Sequence, residues 1–98
     1  MTITKAQNGT ALTLAVEGRL DTVTAPELEK EIAENSAEAN ELVVDFTKLD
    51  YISSAGLRVL LSAHKNFAKK GGMTITNVNE TVMDIFDVTG FKDILNIK

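Results

Sequence analysis

The chain has 98 residues, 44% of them hydrophobic and 24% charged, a composition that supports one packed core and excludes a disordered segment. Fourteen acidic against ten basic side chains give a net charge of −4, which disfavours direct nucleic-acid binding and suits a partner with a basic face. There is no cysteine, so disulfides, thiol catalysis and thiolate metal sites are excluded. The start, Met1-Thr2-Ile3-Thr4-Lys5, has no long apolar stretch of the signal-peptide kind. No apolar run approaches the ~18 residues that cross a bilayer. The expectation is a single cytoplasmic domain over residues 1–98, with no membrane contact.

Two strand-like runs flank Asn8-Gly9, a tight-turn pair, so the chain is predicted to open with an antiparallel hairpin that puts Leu12, Leu14 and Val16 on one face. Gly18-Arg19-Leu20-Asp21 ends the second strand. Thr24-Ala25-Pro26-Glu27 reads as a capping box, with Thr24 as N-cap of a helix that runs to about Ser36. Leu28 and Ile32 mark its buried face. Asn35 to Asn40 is polar and reads as a loose connection. Leu42-Val43-Val44-Asp45-Phe46 reads as a central strand buried on both faces. Asp45 falls near its carboxyl end, where open α/β sheets tend to place their sites.

A second apolar-faced helix is predicted from Ser54 to about Lys69, with Leu57, Leu60, Leu61 and Ala68 inward and Arg58, Ser62, Lys65 and Asn66 outward. Lys69 and Lys70 suit its negative end, and Gly71-Gly72 stops it. Met73 to Val78 alternates as a strand. Asn79 is placed to cap a short helix carrying Val82, Ile85 and Phe86, and Ile94, Leu95 and Ile97 are placed to pin the tail. The order β-β-α-β-α-β-α implies strand–helix–strand units with parallel neighbours and one antiparallel edge. The fold class is therefore α/β: a single, mixed, mostly parallel sheet with an N-terminal hairpin and three to four helices.

The residues offer little catalysis. The one histidine, His64, lies ten residues beyond Ser54. That is about 15 Å along a helix, too far for a nucleophile–base pair. Ser54 is not in a G-x-S-x-G elbow, and no ligand cluster has metal spacing. Gly71-Gly72 follows a helix, whereas a nucleotide cradle precedes one. No cofactor is expected. What stands out is Ser53-Ser54 at the mouth of the second helix. A serine there can cap the helix, or it can carry a phosphate, because unpaired N–H groups and the helix dipole favour negative charge at that end. Asp21 and Asp45 both end strands and are placed as acids flanking the serines. Gly56 inside the first turn suits close packing or backbone approach.

Tyr51-Ile52-Ser53-Ser54-Ala55-Gly56-Leu57 resembles the signature of the bacterial anti-sigma-factor antagonists, the STAS domain family. Gly18-Arg19-Leu20-Asp21, Ala25-Pro26-Glu27-Leu28, Val43-Val44-Asp45-Phe46, Lys69-Lys70-Gly71-Gly72 and Ile85 to Phe91 resemble further elements of the family in order, so the resemblance covers essentially the whole chain. It implies a STAS fold and a protein that is a substrate rather than an enzyme. Its partners would be an anti-sigma factor that is itself a serine kinase, and a metal-dependent serine phosphatase. The unphosphorylated form would bind the kinase and release the sigma factor, and phosphorylation at Ser54 would end that binding. The expected docking surface comprises Asp21, Ser53, Ser54, Gly56, Leu57 and Arg58, the resemblance makes Asp45 a flanking acid, and the expected state is a monomer or weak dimer. Three positions depart from the family pattern. Ser53 stands where many phosphorylated members carry Asp, Ala55 where they carry Ser or Thr, and Arg58 where a small residue is common. Ser53 is thus the alternative phosphoacceptor. The alternative function is an unphosphorylated STAS module serving as a subunit of a transporter or signalling complex. A small-ligand or nucleotide-binding domain is a third reading.

Overall fold

Asn8-Gly9 turns β1 (Thr2–Asn8) back onto β2 (Ala11–Leu20) as an antiparallel pair, with Ile3 opposite Val16 and Ala6 opposite Thr13. The coordinates are a computed structural model that describes Met1 to Lys98. Beyond the hairpin follow α1 (Ala25–Asn35), a 3-10 turn at Ser36–Glu38, β3 (Glu41–Asp45), β4 (Leu49–Ile52), α2 (Ser54–Phe67), β5 (Gly72–Thr76), α3 (Glu80–Val88) and a second 3-10 turn at Phe91–Asp93. The architecture is mixed α/β: a five-stranded sheet and three helices. The order β1-β2-β3-β5 forms the main path, and β4 pairs with β2. All pairings other than the opening hairpin are parallel.

The alternation in the strands determines where the core lies. Leu12, Leu14 and Val16 of β2, Leu42 and Val44 of β3, and Met73 and Ile75 of β5 are buried on one face. They join Leu28 and Ile32 of α1 and Val59, Leu60, Ala63 and Phe67 of α2 in a single core. On the other face Thr4, Thr13, Ala15, Val43 and Thr74 stay exposed or half-buried. So β3 is buried on one face, not on both as its apolar run suggested: Val43 points to the open side.

β4, between β3 and α2, is a strand that no element predicted from the sequence includes. Its existence depends on β2 changing partners. Ala11 to Ala15 pair with β3, whereas Gly18 to Leu20 pair with β4, and the register shifts between Gly18 and Arg19. Gly18 sits at φ 101°, a conformation with a steric cost for any side chain, and its N–H donates to the Lys48 carbonyl at 3.0 Å. This bulge carries the upper part of β2 past the end of β3, so β4 and the start of α2 lie beside Leu20.

Other expectations need correction. Thr24 precedes α1, but its hydroxyl makes no cap: it donates to the Arg19 carbonyl at 2.7 Å and meets the Asp21 carboxylate at 3.1 Å. Asn35 to Asn40 is not loose, since it holds the 3-10 turn and the buried Ala39. α2 ends at Phe67, Leu61 is only half-buried, and Ala68 is exposed. Lys70 does not serve the end of its own helix. Its ammonium donates to the Ser36 and Ala39 carbonyls at 2.6 and 2.9 Å, tying the two connections together. Asn79 caps α3 as read, accepting from the Val82 N–H at 2.8 Å while donating to the Leu49 carbonyl at 2.6 Å. The tail is held by Leu95, which is buried, and by Ile97 beside Ile75, while Ile94 stays exposed.

Candidate functional site

The start of α2 is fixed from below. Gly56 is buried, and a Cβ there would lie 2.8 Å from Ile52 Cγ1 and 2.8 Å from Leu20 Cγ. Only glycine lets the helix sit this close to β4 and β2. The Ser53 N–H donates to the Leu20 carbonyl at 2.9 Å, and the Leu57 N–H donates to the Ser53 carbonyl at 3.0 Å. The first turn therefore has one placement, set by backbone bonds and by an absent side chain.

The two serines differ sharply. Ser53 is the N-cap residue, with extended backbone (φ −101°, ψ 176°), yet its side chain makes no cap bond and its Oγ is buried without a partner. Ser54 begins the helix and is exposed. Arg58, four residues on, is exposed too, and four residues is the spacing that brings two side chains together on one helix face. Arg58 lines a shallow pocket between the starts of α1 and α2, with Thr22, Pro26, Glu29 and Ala55. Val23, in the same turn as Thr22, is 82% exposed. Thr22, Val23, Pro26 and Glu29 were not singled out from the sequence. The bulge signal at Gly18 was available to show that the 21–24 turn adjoins the serines.

Gly56 and Leu57 are buried and seat the helix on the sheet, as the close packing read for Gly56 and the inward face read for Leu57 anticipate, so the docking face expected to include them is formed by their exposed neighbours. Asp21 does adjoin the site, since it follows the Leu20 carbonyl that receives Ser53. Its carboxylate, however, is occupied by its own turn. Asp21 Oδ1 accepts from the Val23 N–H at 3.0 Å, the Thr24 N–H at 3.1 Å and the Thr24 hydroxyl at 3.1 Å. Oδ2 lies 3.9 Å from Arg19 Nε, and the Arg19 guanidinium stacks 4.5 Å from the Tyr51 ring centre. The Thr24 backbone N–H, above all, holds the Asp21 carboxyl below its ordinary pKa; partial burial opposes this, and the Thr24 hydroxyl, Val23 and Arg19 add to it.

Asp45 is not on this rim. It pairs with Ala15, whereas Ile52, at the approach to α2, pairs with Leu20. Five residues of strand, about 16 Å, separate the two levels. Asp45 Oδ1 accepts from the Thr47 hydroxyl at 2.6 Å, the Thr47 N–H at 3.0 Å and Asn77 Nδ2 at 3.0 Å. The Thr47 hydroxyl first, then Asn77, lowers its pKa against partial burial. The carboxylate closes the β3–β4 turn and pins the loop after β5, where Asn77 adopts φ 58°. Its place at a strand end reflects folding, and the expected flanking role fails on distance.

His64 is half-buried in the middle of α2 with Nδ1 buried and unpartnered, remote from both serines. No three His, Asp or Glu side chains come together as metal ligands. The site is thus a surface: an exposed hydroxyl on a rigid helix start, one free guanidinium, a shallow pocket and an exposed valine.

The model of the family described as "STAS domain" matches residues 2–98. The anti-sigma-B factor antagonist of Bacillus subtilis (strain 168) is 29% identical over 92 residues, covering 93% of this chain and 84% of that protein. Among solved structures, an anti-sigma factor antagonist from Mycobacterium paratuberculosis superposes with a TM-score of 0.87 at 24% identity, covering 98% of this chain and 83% of that one. The Bacillus anti-sigma factor antagonist SpoIIAA superposes in its unphosphorylated form at 0.77 and in its phosphorylated form at 0.76, with 13% and 14% identity, 99% of this chain and 87% and 91% of those chains. At these identities the three structural likenesses speak to the fold.

Proposed function

This chain belongs to the STAS domain family, and from that premise we propose that it is an anti-sigma factor antagonist whose binding is switched by phosphorylation of Ser54. The observation that carries the reading is the placement of Ser54: an exposed hydroxyl on the first turn of α2, next to a Ser53 hydroxyl that is buried. An incoming kinase reaches the first and not the second. The partner is an anti-sigma factor with serine-kinase activity, docked over the start of α2, Arg58, Val23 and the pocket between α1 and α2. Bound in this way it releases its sigma factor.

The chain acts as substrate and supplies no catalytic group. The kinase moves the γ-phosphoryl group of ATP to Ser54 Oγ, forming the ester bond and releasing ADP, while the hydroxyl proton passes to a base on the kinase. The phosphate adds about −1.5 to −2 charges at pH 7. The start of α2 accepts that charge without refolding, because the Ser54, Ala55 and Gly56 N–H groups have no acceptor within the chain and the helix dipole favours an anion there. At the docked interface the same charge is desolvated or set beside acidic groups, and binding is lost. A metal-dependent phosphatase resets the switch. No helix is long and apolar enough to cross a membrane, and we place the protein in the cytoplasm with its partners.

Incubation with the cognate kinase and ATP, followed by mass spectrometric mapping, tests this directly. The expected product carries one phosphate on Ser54, and Ser54→Ala abolishes it while Ser53→Ala does not. An unmodified chain overturns the switch and favours a constitutive interaction module.

A further inference from the structure

The chain has only two arginines, and they stand in different situations. Arg19 is engaged, stacked on Tyr51 and 3.9 Å from Asp21. Arg58 has no carboxylate within ion-pair distance: the ion pairs of the molecule are Arg19–Asp21 and Lys30–Glu34. Glu29 borders the same pocket from α1 without pairing to it. Arg58 is also one helical turn beyond Ser54, both are exposed, and an anion four residues before a cation is the favourable order along a helix.

We propose that Arg58 is the built-in counter-charge for a phosphate on Ser54, so that one modification both adds a dianion and withdraws the guanidinium from the surface between α1 and α2. This rests on Ser54 being the modified residue. A planar guanidinium grips phosphate oxygens in pairs, which an ammonium does not. The unmodified surface presents a free cation beside Thr22, Pro26 and Glu29. The phosphorylated surface presents a neutralised pair held against the helix. A partner that uses Arg58 to meet an acidic group therefore loses that contact as well as meeting the new charge.

The test needs no kinase. Phosphoserine is placed at residue 54 of the full chain during translation, and its second ionisation is followed by phosphorus NMR. In the wild-type background that pKa lies below its value in Arg58→Gln by about 0.2 to 0.4 of a unit, the size an i,i+4 ion pair gives. Arg58→Lys restores part of the difference. Raising the salt to about 1 M, where screening acts over ~3 Å, shrinks it. The Arg58 Nε–H resonance shifts on phosphorylation. Equal ionisation in the wild type and Arg58→Gln, with the Arg58 resonance unmoved, overturns the proposal. That failure is separate from failure of the kinase reading, which shows only as an unmodified Ser54.

Discussion

Two corners of the molecule look alike in the sequence and behave oppositely in the fold. Each follows a strand end and each offers a polar side chain. At the end of β3, Asp45 spends its carboxylate on Thr47 and Asn77, and the corner is closed. At the start of α2, Ser53 Oγ has no partner, Ser54 is exposed and Arg58 pairs with nothing. The first corner uses its polar groups to hold the chain, and the second keeps them unspent while the backbone and Gly56 do the holding. A polar residue at a strand end therefore says little until its partners are counted.

The contrast can be broken at the packing beneath the second corner. Gly56→Ala forces a Cβ to within 2.8 Å of Ile52 and Leu20. It is expected to cost about 2 kcal/mol, read as a lower denaturant midpoint, and to misplace Ser54. An unchanged midpoint would show that the helix start is not pinned there.

The two N-caps sharpen the same contrast. Asn79→Ala loses a cap to Val82 and a bond to Leu49, and is expected to cost about 1.5 kcal/mol. Ser53→Ala removes a hydroxyl that caps nothing and is expected to stay within about 0.5 kcal/mol of the wild type. Equal losses in the two variants would contradict the structure of the α2 start.

The smallest effect concerns pH. In Asp45 and Asp21 the fold donates hydrogen bonds to the ionised carboxylate, so the folded pKa values lie below the unfolded ones. Their stabilisation is complete above the unfolded carboxylate range, near pH 4, and is lost as pH falls through the lower folded values. Asp45→Asn should therefore flatten the decline of stability below pH 4 and leave phosphorylation of Ser54 intact. A decline as steep as that of the wild type would remove Asp45 from the acid transition.

The hairpin, the three helices, the parallel pairings and the cap at Asn79 were legible because each depends on local chemistry: Asn8-Gly9, apolar spacing, a capping side chain. The serines at the mouth of α2 were legible for the same reason. β4 was not, because Leu49 to Ile52 becomes a strand only when β2 changes partners at Gly18. The separation of Asp45 from Ser54 was hidden with it, since Asp45 ends β3, Ser54 follows the end of β4, and only the register sets their levels. Nor did the sequence separate Ser53 from Ser54 by burial, which depends on how closely α2 approaches Leu20; the inward face read for Leu57 and the close packing read for Gly56 are the expectations their burial matches. Thr24 carried the sequence signature of a cap, but its hydroxyl donates to the Arg19 carbonyl and accepts from the Asp21 N–H, while its own N–H donates to the Asp21 carboxylate.

The most direct measurement is a calorimetric titration of the cognate anti-sigma factor with the unmodified chain and with the chain carrying phosphoserine at residue 54. The unmodified chain should bind. The phosphorylated chain should bind about a thousandfold more weakly, equivalent to ~4 kcal/mol. Equal affinities would contradict Ser54 as the switch.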